Sequence, residues 1–340
     1  MASAQKIKPF LDSLKHKEFN ILPLPSITVG PEIGIMYGFF VDYYYKLSKK
    51  DDTLTRPSVS FVSLQYSTKK QMNAELYTSA FTRKEKYYVL FKAGYYDDFE
   101  QYWGKTSPSL GNDDYIMARY KRYLLSGRIA KNIGQKHFLG LGYQYNTYYD
   151  VAFSKIALKE FVPAMPASSI LGLGLVYNID KRDNQFSPTK GYYADFTAYK
   201  MFDMSKKTSG YTQYNLDLRK YHEIKKHVVA NQFVLGSQQG EVPIFEKQRI
   251  GGPMLMRGLF KGRFRDDNLW AIQSEYRYEV IPLVKLAAFA SVGNTAPTFS
   301  SLFQQQIIVG YGAGLRLRVN KTKKIYAKID YAPGNSHLKI

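Results

Sequence analysis

Between Leu269 and Val280 the chain keeps a two-residue rhythm. Trp270, Ile272, Ser274, Tyr276, Tyr278 and Val280 occupy one set of positions, and Ala271, Gln273, Glu275, Arg277 and Glu279 the other. A period of two sends successive side chains to opposite faces of an extended strand. The split recurs at Ile307–Asn320, where Ile307, Val309, Tyr311, Ala313, Leu315, Leu317 and Val319 oppose Gly310, Gly312, Gly314, Arg316, Arg318 and Asn320. It returns at Tyr211–Tyr221, with Thr212, Tyr214, Leu216 and Leu218 against Gln213, Asn215, Asp217 and Arg219. At Phe138–Asn146, Leu139, Leu141, Tyr143 and Tyr145 oppose Gly140, Gly142, Gln144 and Asn146. Alternation alone fits a soluble sandwich as well as a membrane barrel. Two features favour the barrel. Many of these stretches reach ten residues or more, against about five or six for ordinary strands. Their polar faces carry Gly, Arg, Asp and Gln, as a crowded wet lumen requires.

The apolar content points the same way. Hydrophobic residues reach 45%, yet no run approaches the roughly 18–20 uncharged apolar residues of a membrane-spanning helix. A helical membrane protein is excluded, whereas a barrel strand crosses with about 9–11 residues, only alternate ones apolar. The aromatic inventory is 30 Tyr and 21 Phe against 2 Trp. Tyr43–Tyr45, Tyr87–Tyr88, Tyr95–Tyr96 and Tyr148–Tyr149 cluster near strand ends, where girdles meet the membrane interfaces. Cysteine is absent, which removes disulfide scaffolds and thiolate chemistry and suits an oxidising periplasm. The formal charge of +20 suits lipid phosphate or a basic lumen; with no long Lys/Arg run and no recognition helix, nucleic acid is not an expected partner.

The expected fold is an all-β, transmembrane antiparallel barrel of about sixteen strands, an even number with both termini periplasmic. Strands are placed near 20–29, 34–48, 57–68, 71–83, 86–98, 115–131, 136–149, 168–181, 190–203, 210–223, 226–239, 266–281, 284–294, 306–320, 323–332 and 336–340. Residues 1–18 read as a short periplasmic segment and 19–340 as one barrel domain. Met1–Glu18 lacks the apolar core of a signal peptide, so a bacterial outer-membrane location implies a signal removed or replaced.

Two segments say more than the general pattern. Asn178–Tyr193 reads first as a hairpin turn, with Ser187-Pro188 and Lys190-Gly191 supplying the turn chemistry. Ile250–Asp267 belongs to the longest inter-strand connection, which begins near Gly240 and is rich in Gly and Arg. Together they resemble the BamA/TamA-type barrel superfamily of outer-membrane assembly and secretion proteins, the bacterial surface antigen family. That family carries an Asp-x-Arg-Asp…Pro-x-x-Gly hairpin in mid-barrel, matched by Asp180, Arg182, Asp183, Pro188 and Gly191. Its sixth extracellular loop carries Gly-Gly…[Val/Ile/Leu]-Arg-Gly-[Tyr/Phe], matched by Gly251, Gly252, Met256, Arg257, Gly258 and, in place of the aromatic, Leu259. Ser274, Glu275, Tyr276 and Arg277 match in part a following Ser-x-Glu-Tyr-Arg strand. The match is spread over residues 170–332.

The resemblance implies that the loop folds back into the lumen, its Arg pairing with inward-facing residues of the next two strands. The candidate partners are Glu275, then Phe289, Ser291 and Gly293. The family usually has Asp where Ser291 stands, which leaves Glu275 as the only evident carboxylate for Arg257. The alternative is an Arg257 simply solvated in a mobile loop. Assembly and translocation members carry POTRA domains before the barrel, and Met1–Glu18 is too short for one, so the chain reads as a member lacking them. The family's last strand usually runs on to a terminal aromatic, whereas here it is a stub ending at Ile340.

The resemblance further implies a weak seam between first and last strands. Pro23 and Pro25 fall in the first strand, and neither can donate to a ladder. Such a seam could open laterally or accept a client strand; equally, the prolines could mark an edge near a periplasmic turn. The expected function is assistance to outer-membrane protein assembly, insertion or translocation, alone or as an accessory barrel subunit. The alternative is a passive or anion-favouring solute pore. Expected partners are outer-membrane lipid and lipopolysaccharide, client outer-membrane proteins, or assembly-complex subunits. No enzyme is expected: His16, His137, His222, His227 and His337 lie near strand ends or termini, and no Gly-x-Ser-x-Gly elbow occurs. Neither a cofactor nor a metal is expected.

Overall fold

A backbone in hydrocarbon must satisfy every N–H and C=O within the protein, and with strands this means one continuous sheet curled into a barrel. The computed structural model has this form and describes residues 21–30, 33–48, 52, 54–103, 115–153, 167–320 and 324–333. Its strands are β1 (Ile21–Gly30), β2 (Gly34–Tyr45), β3 (Ser58–Ser67), β4 (Met72–Phe81), β5 (Tyr87–Tyr102), β6 (Ile116–Gly134), β7 (His137–Phe153), β8 (Ser168–Asp180) and β9 (Gly191–Asp203). There follow β10 (Tyr211–Ile224), β11 (His227–Gly240), β12 (Gln248–Ile250), β13 (Phe264–Asp266), β14 (Asn268–Ile281), β15 (Val284–Ala296), β16 (Ile308–Asn320) and β17 (Ile325–Tyr331).

Fifteen of these make one antiparallel sheet, each strand bonded to its sequence neighbour except where β11 passes directly to β14. The short pair β12–β13 stands apart, built from the connection between them. About sixteen sheet strands were expected; fifteen are described, and the sixteenth, 336–340, lies outside the described residues, as does segment 1–18. The β12–β13 pair was not anticipated, because three-residue strands carry no readable period. Another difference is length: β5, β6 and β7 run to 16, 19 and 17 residues. The extended end of β5 carries Glu100 and Tyr102 to the lumenal loop.

The faces follow the alternation. Leu141 is 64% exposed and Leu175 57% exposed, pointing outward as lipid-facing residues must, while Asn146 and Glu275 are buried on the inner face. The lumen holds an aromatic core in which Phe81, Tyr88 and Phe138 pack together. The connections sort by end. Two-residue turns at 135–136, 225–226 and 282–283 share one end, and the long links 103–115, 154–167 and 241–267 share the other. This is the asymmetry of short periplasmic turns and longer outer loops. Two links at the short-turn end, 46–57 and 181–190, are longer, and their residues meet within the barrel: Gln185 Nε2 donates to the Pro57 carbonyl at 2.6 Å, and Phe186 packs edge-on against Tyr44.

The β1–β2 ladder runs unbroken from Ile21↔Tyr43 to Gly30↔Gly34 and includes Pro23↔Val41 and Pro25↔Phe39. In an antiparallel pair, alternate residues turn both backbone groups toward the partner. The two prolines can join an unbroken ladder only if their missing N–H faces away from β2, on the free edge. At the other edge, β17 pairs with Ala313–Asn320 of β16. Among the described residues no ladder joins β1 to β17.

The outward face yields a direct test. Leu173 lies near the middle of β8 and is exposed on the outer surface. Leu173→Arg should lower folding stability in vesicles by about 2–4 kcal/mol, read from denaturant titration; an unchanged midpoint would mean that this face meets water.

Candidate functional site

The 241–267 connection turns inward and fills much of the lumen. A small apolar core holds it there: Ile250, Met256, Leu259 and Phe264 of the loop pack with Leu269, Ala271 and Ile308 of the wall, all buried. Leu259, where the resemblance leads one to expect an aromatic, supplies part of this core. The loop also closes on itself, with Gly251 N donating to Leu255 O at 3.1 Å and Gly252 N to Leu259 O at 3.0 Å.

Arg257 is the point of closest engagement with the near wall. Its Nη2 donates to Glu275 Oε2 at 2.7 Å and its Nη1 to Asp330 Oδ2 at 2.7 Å. Its guanidinium sits 3.7 Å from the centre of the Phe289 ring, combining a forked ion pair with a cation–π contact. Glu275 also accepts from Arg277 Nε at 2.6 Å and Arg316 Nη2 at 2.9 Å, and Arg316 makes a further ion pair with Asp330. Glu275 was expected to be the only carboxylate; Asp330 is a second. It was not visible in advance because it lies 73 residues from Arg257, on a strand with no motif. Ser291 does not reach Arg257: its hydroxyl donates to the Gly310 carbonyl at 3.1 Å. Gly293 lies beneath the Met256 side chain.

Two glycines make this approach possible. Gly258 has φ +96, and a Cβ there would sit 2.9 Å from Ala332 Cβ. A Cβ at Gly310 would meet the Arg257 carbonyl oxygen at 3.0 Å and Ser291 Oγ at 2.9 Å. Met256, buried and just before the clamp, takes a left-handed φ of 55. That conformation is costly for a residue with a Cβ, and the burial of its side chain offsets the cost.

The far wall holds the loop through a second set of bonds that sequence reasoning missed. Arg265 of β13 donates to Glu100 Oε1 of β5 at 2.6 Å, and Arg249 of β12 reaches Glu100 Oε2 at 3.4 Å. Tyr148 and Tyr211 donate to the two oxygens of Glu246 at 2.7 and 3.1 Å, and Phe260 packs against Trp103.

The mid-barrel hairpin forms a second lumenal node. Asp180 accepts Arg182 Nε and Nη2, both at 2.8 Å, and Arg56 Nη1 at 2.6 Å. Arg56 is another residue that no motif marked. It also donates to Glu85 Oε1 at 2.7 Å and lies 4.2 Å from the Phe81 ring centre. Asp183 closes the turn by accepting Thr189 N, Lys190 N and the Thr189 hydroxyl. Partial burial pushes its carboxyl up, but these donors outweigh that and hold it below the usual range. Pro188 O accepts Arg277 Nη1 at 3.2 Å, and Gly191 opens β9. The hairpin and the lumenal loop are therefore connected through Arg277 and Glu275.

What space remains is divided. Cavities of about 430 and 660 Å3 are both bounded by Arg182, Phe186 and Met254, where the two loops approach each other. His137 and His227 each pair with a tyrosine hydroxyl, at 2.7 and 2.6 Å; His16 and His337 lie outside the described residues. Among the described residues no cluster of His, Asp and Glu could hold a metal ion.

Solved structures share this architecture. BamA from Haemophilus ducreyi lacking POTRA domains 1–3 superposes with TM-score 0.55 at 14% identity, over 98% of this chain and 76% of that one. CdiB from Acinetobacter baumannii gives 0.52 at 13%, over 92% and 62%, and CdiB from Escherichia coli 0.57 at 10%, over 88% and 56%. The chain thus spans about three-fifths of the length of each CdiB structure. No curated protein matches by sequence. The Omp85 superfamily domain matches residues 43–325, from the end of β2 to the start of β17, and the chain belongs to the Omp85 superfamily of outer-membrane β-barrels.

Proposed function

We propose that this barrel assists the assembly, insertion or translocation of outer-membrane proteins, by itself or as the barrel subunit of a larger complex. The observation that carries this reading is the loop clamped across the lumen, with Arg257 on one wall and Arg265 on the other. A diffusion pore keeps an open water path. Here a loop held at both ends and a hairpin folded in from the opposite mouth occupy that path. A barrel whose lumen is occupied in this way is suited to work at its wall rather than through its bore.

The seam is where that work would occur. Pro23 and Pro25 leave gaps in the N–H donors along the free edge of β1. Missing donors along that edge lower the cost of parting it from a neighbouring strand, and a client strand could pair there by β-augmentation. Expected partners are therefore client strands, with lipid and lipopolysaccharide around the outer face.

In planar bilayers the protein should show small, erratic openings; a large, steady, anion-selective current would instead establish a pore. Arg257→Ala removes charge-assisted bonds worth about 1.5–3 kcal/mol each. Amide exchange across 250–262 should then accelerate by roughly tenfold or more, with larger openings, and unchanged exchange would show that Arg257 does not hold the loop. Replacing Pro23 and Pro25 by Thr restores two donors to the β1 edge and should slow client insertion into liposomes. Equal rates for wild type and variant would remove the seam from the mechanism.

A further inference from the structure

On the wall between the two lumenal loops, three cations stand directly opposite one another. Lys285 of β15 faces Arg316 of β16, and Arg316 faces Lys328 of β17. Like charges in that relation repel, so such a row costs stability unless anions answer it. The nearby carboxylates are already shared. Glu279 sits 3.4 Å from Lys285; Glu275 serves Arg257, Arg277 and Arg316, and Asp330 serves Arg257 and Arg316. Five cations therefore stand beside three carboxylates, which pair with four of them. Lys328 Nζ has no hydrogen bond or ion pair among the described residues. Arg316 is 2% exposed, and its Nε is buried without a partner among them.

These groups converge on a small cavity of about 30 Å3. Arg277, Lys285, Arg316 and Lys328 line it with Ser187 and Tyr326, under the Phe186 ring, and no carboxylate is among its lining residues. That volume holds roughly one or two water-sized atoms. Arg277, Lys328 and Phe186 also border the 430 Å3 cavity beside it, so a group seated in the small pocket can extend into the larger one.

We propose that this pocket binds a phosphate-type oxyanion, its terminal oxygens among the four cations and the rest of the molecule in the adjoining cavity. A doubly charged group answers the cation excess better than a carboxylate. Arg forks and Lys point charges are the donors that phosphate chemistry uses, and the Ser187 and Tyr326 hydroxyls add neutral donors. The source is either free phosphate or the phosphate of a lipid headgroup reaching in from the short-turn mouth.

The test uses the whole protein folded in detergent micelles, titrated with inorganic phosphate against chloride at constant ionic strength and followed by calorimetry. Saturable binding at one site is expected. Lys328→Gln should weaken it by roughly tenfold, the loss of one charge-assisted bond, and Lys328→Arg should retain it. Lys328 faces the wet lumen, so neither change should impair folding, as heat-modifiable gel mobility will verify; Lys285→Gln offers an independent second variant. In vesicles, phosphatidic acid that lowers the apparent phosphate affinity identifies a headgroup as the occupant, and no competition identifies free phosphate. Absence of saturable phosphate binding, or equal affinity in wild type, Lys328→Gln and Lys285→Gln, overturns the proposal.

Discussion

The bilayer offers no hydrogen bonds, and most of this structure follows from that. Each N–H and C=O at membrane depth must find a neighbouring strand, so sheet order follows chain order and almost every connection is a hairpin. Once the backbone is committed to ladders, the period of two leaves a side chain two destinations, acyl chains or lumen. Leu141, Leu173 and Leu175 take the first, and Asn146, Glu275 and Arg316 the second. The lumen inherits all the charge that the outer face excludes, and its chemistry is a matter of how that charge is neutralised.

Neutralisation here is long-range and cooperative. Arg56 joins the β2–β3 link to the β4–β5 turn and to β8, Arg128 of β6 pairs with Asp195 of β9, and Arg265 spans from β13 to β5. A buried ion pair adds little net stability over an apolar pair of the same shape, because desolvation cancels much of the attraction. What it does supply is geometry, since breaking one partner leaves a charge stranded. The loop 241–267 is positioned by this means. Its apolar residues would pack against many inner surfaces, but only one placement gives Arg257 both Glu275 and Asp330 while Arg265 reaches Glu100.

The ladder was legible in the chain because it is written locally. All fifteen described sheet strands start within two residues of where alternation puts them. Arg257 and Glu275 could be paired in advance because a motif and a face assignment converged on them. Asp330, Arg56 and Glu100 could not, for a common reason. Each meets its partner across the barrel or at a sequence separation of 29 to 165 residues, and a single acidic or basic residue on an inward face looks the same whether it meets water, a neighbouring strand or a loop. Strand length was misjudged for a related reason. The ends of β5 and β7 extend to the loop, through Glu100 of β5, Trp103 just beyond it and Phe153 of β7, and such contacts leave no periodic trace.

The two edges of the sheet are held in different ways. β1 has ten consecutive backbone pairs with β2, and among the described residues its side chains add the Gln65–Ser26 hydrogen bond of 2.9 Å. β17 has a shorter, shifted ladder with β16, but its inward face carries Asp330, held by Arg316 of the adjoining strand and by Arg257 of the loop. Backbone ladders respond weakly to ionic conditions, whereas ion pairs at a wet lumenal wall are screened by salt and lose their anion on protonation. Of the two edges, β17 therefore depends more on ion pairs and β1 more on its backbone ladder. Because Arg257 joins Asp330 to Glu275 of β14, any displacement of β17 must stretch the clamp that also fixes the lumenal loop, so edge and plug are not independent parts of this barrel.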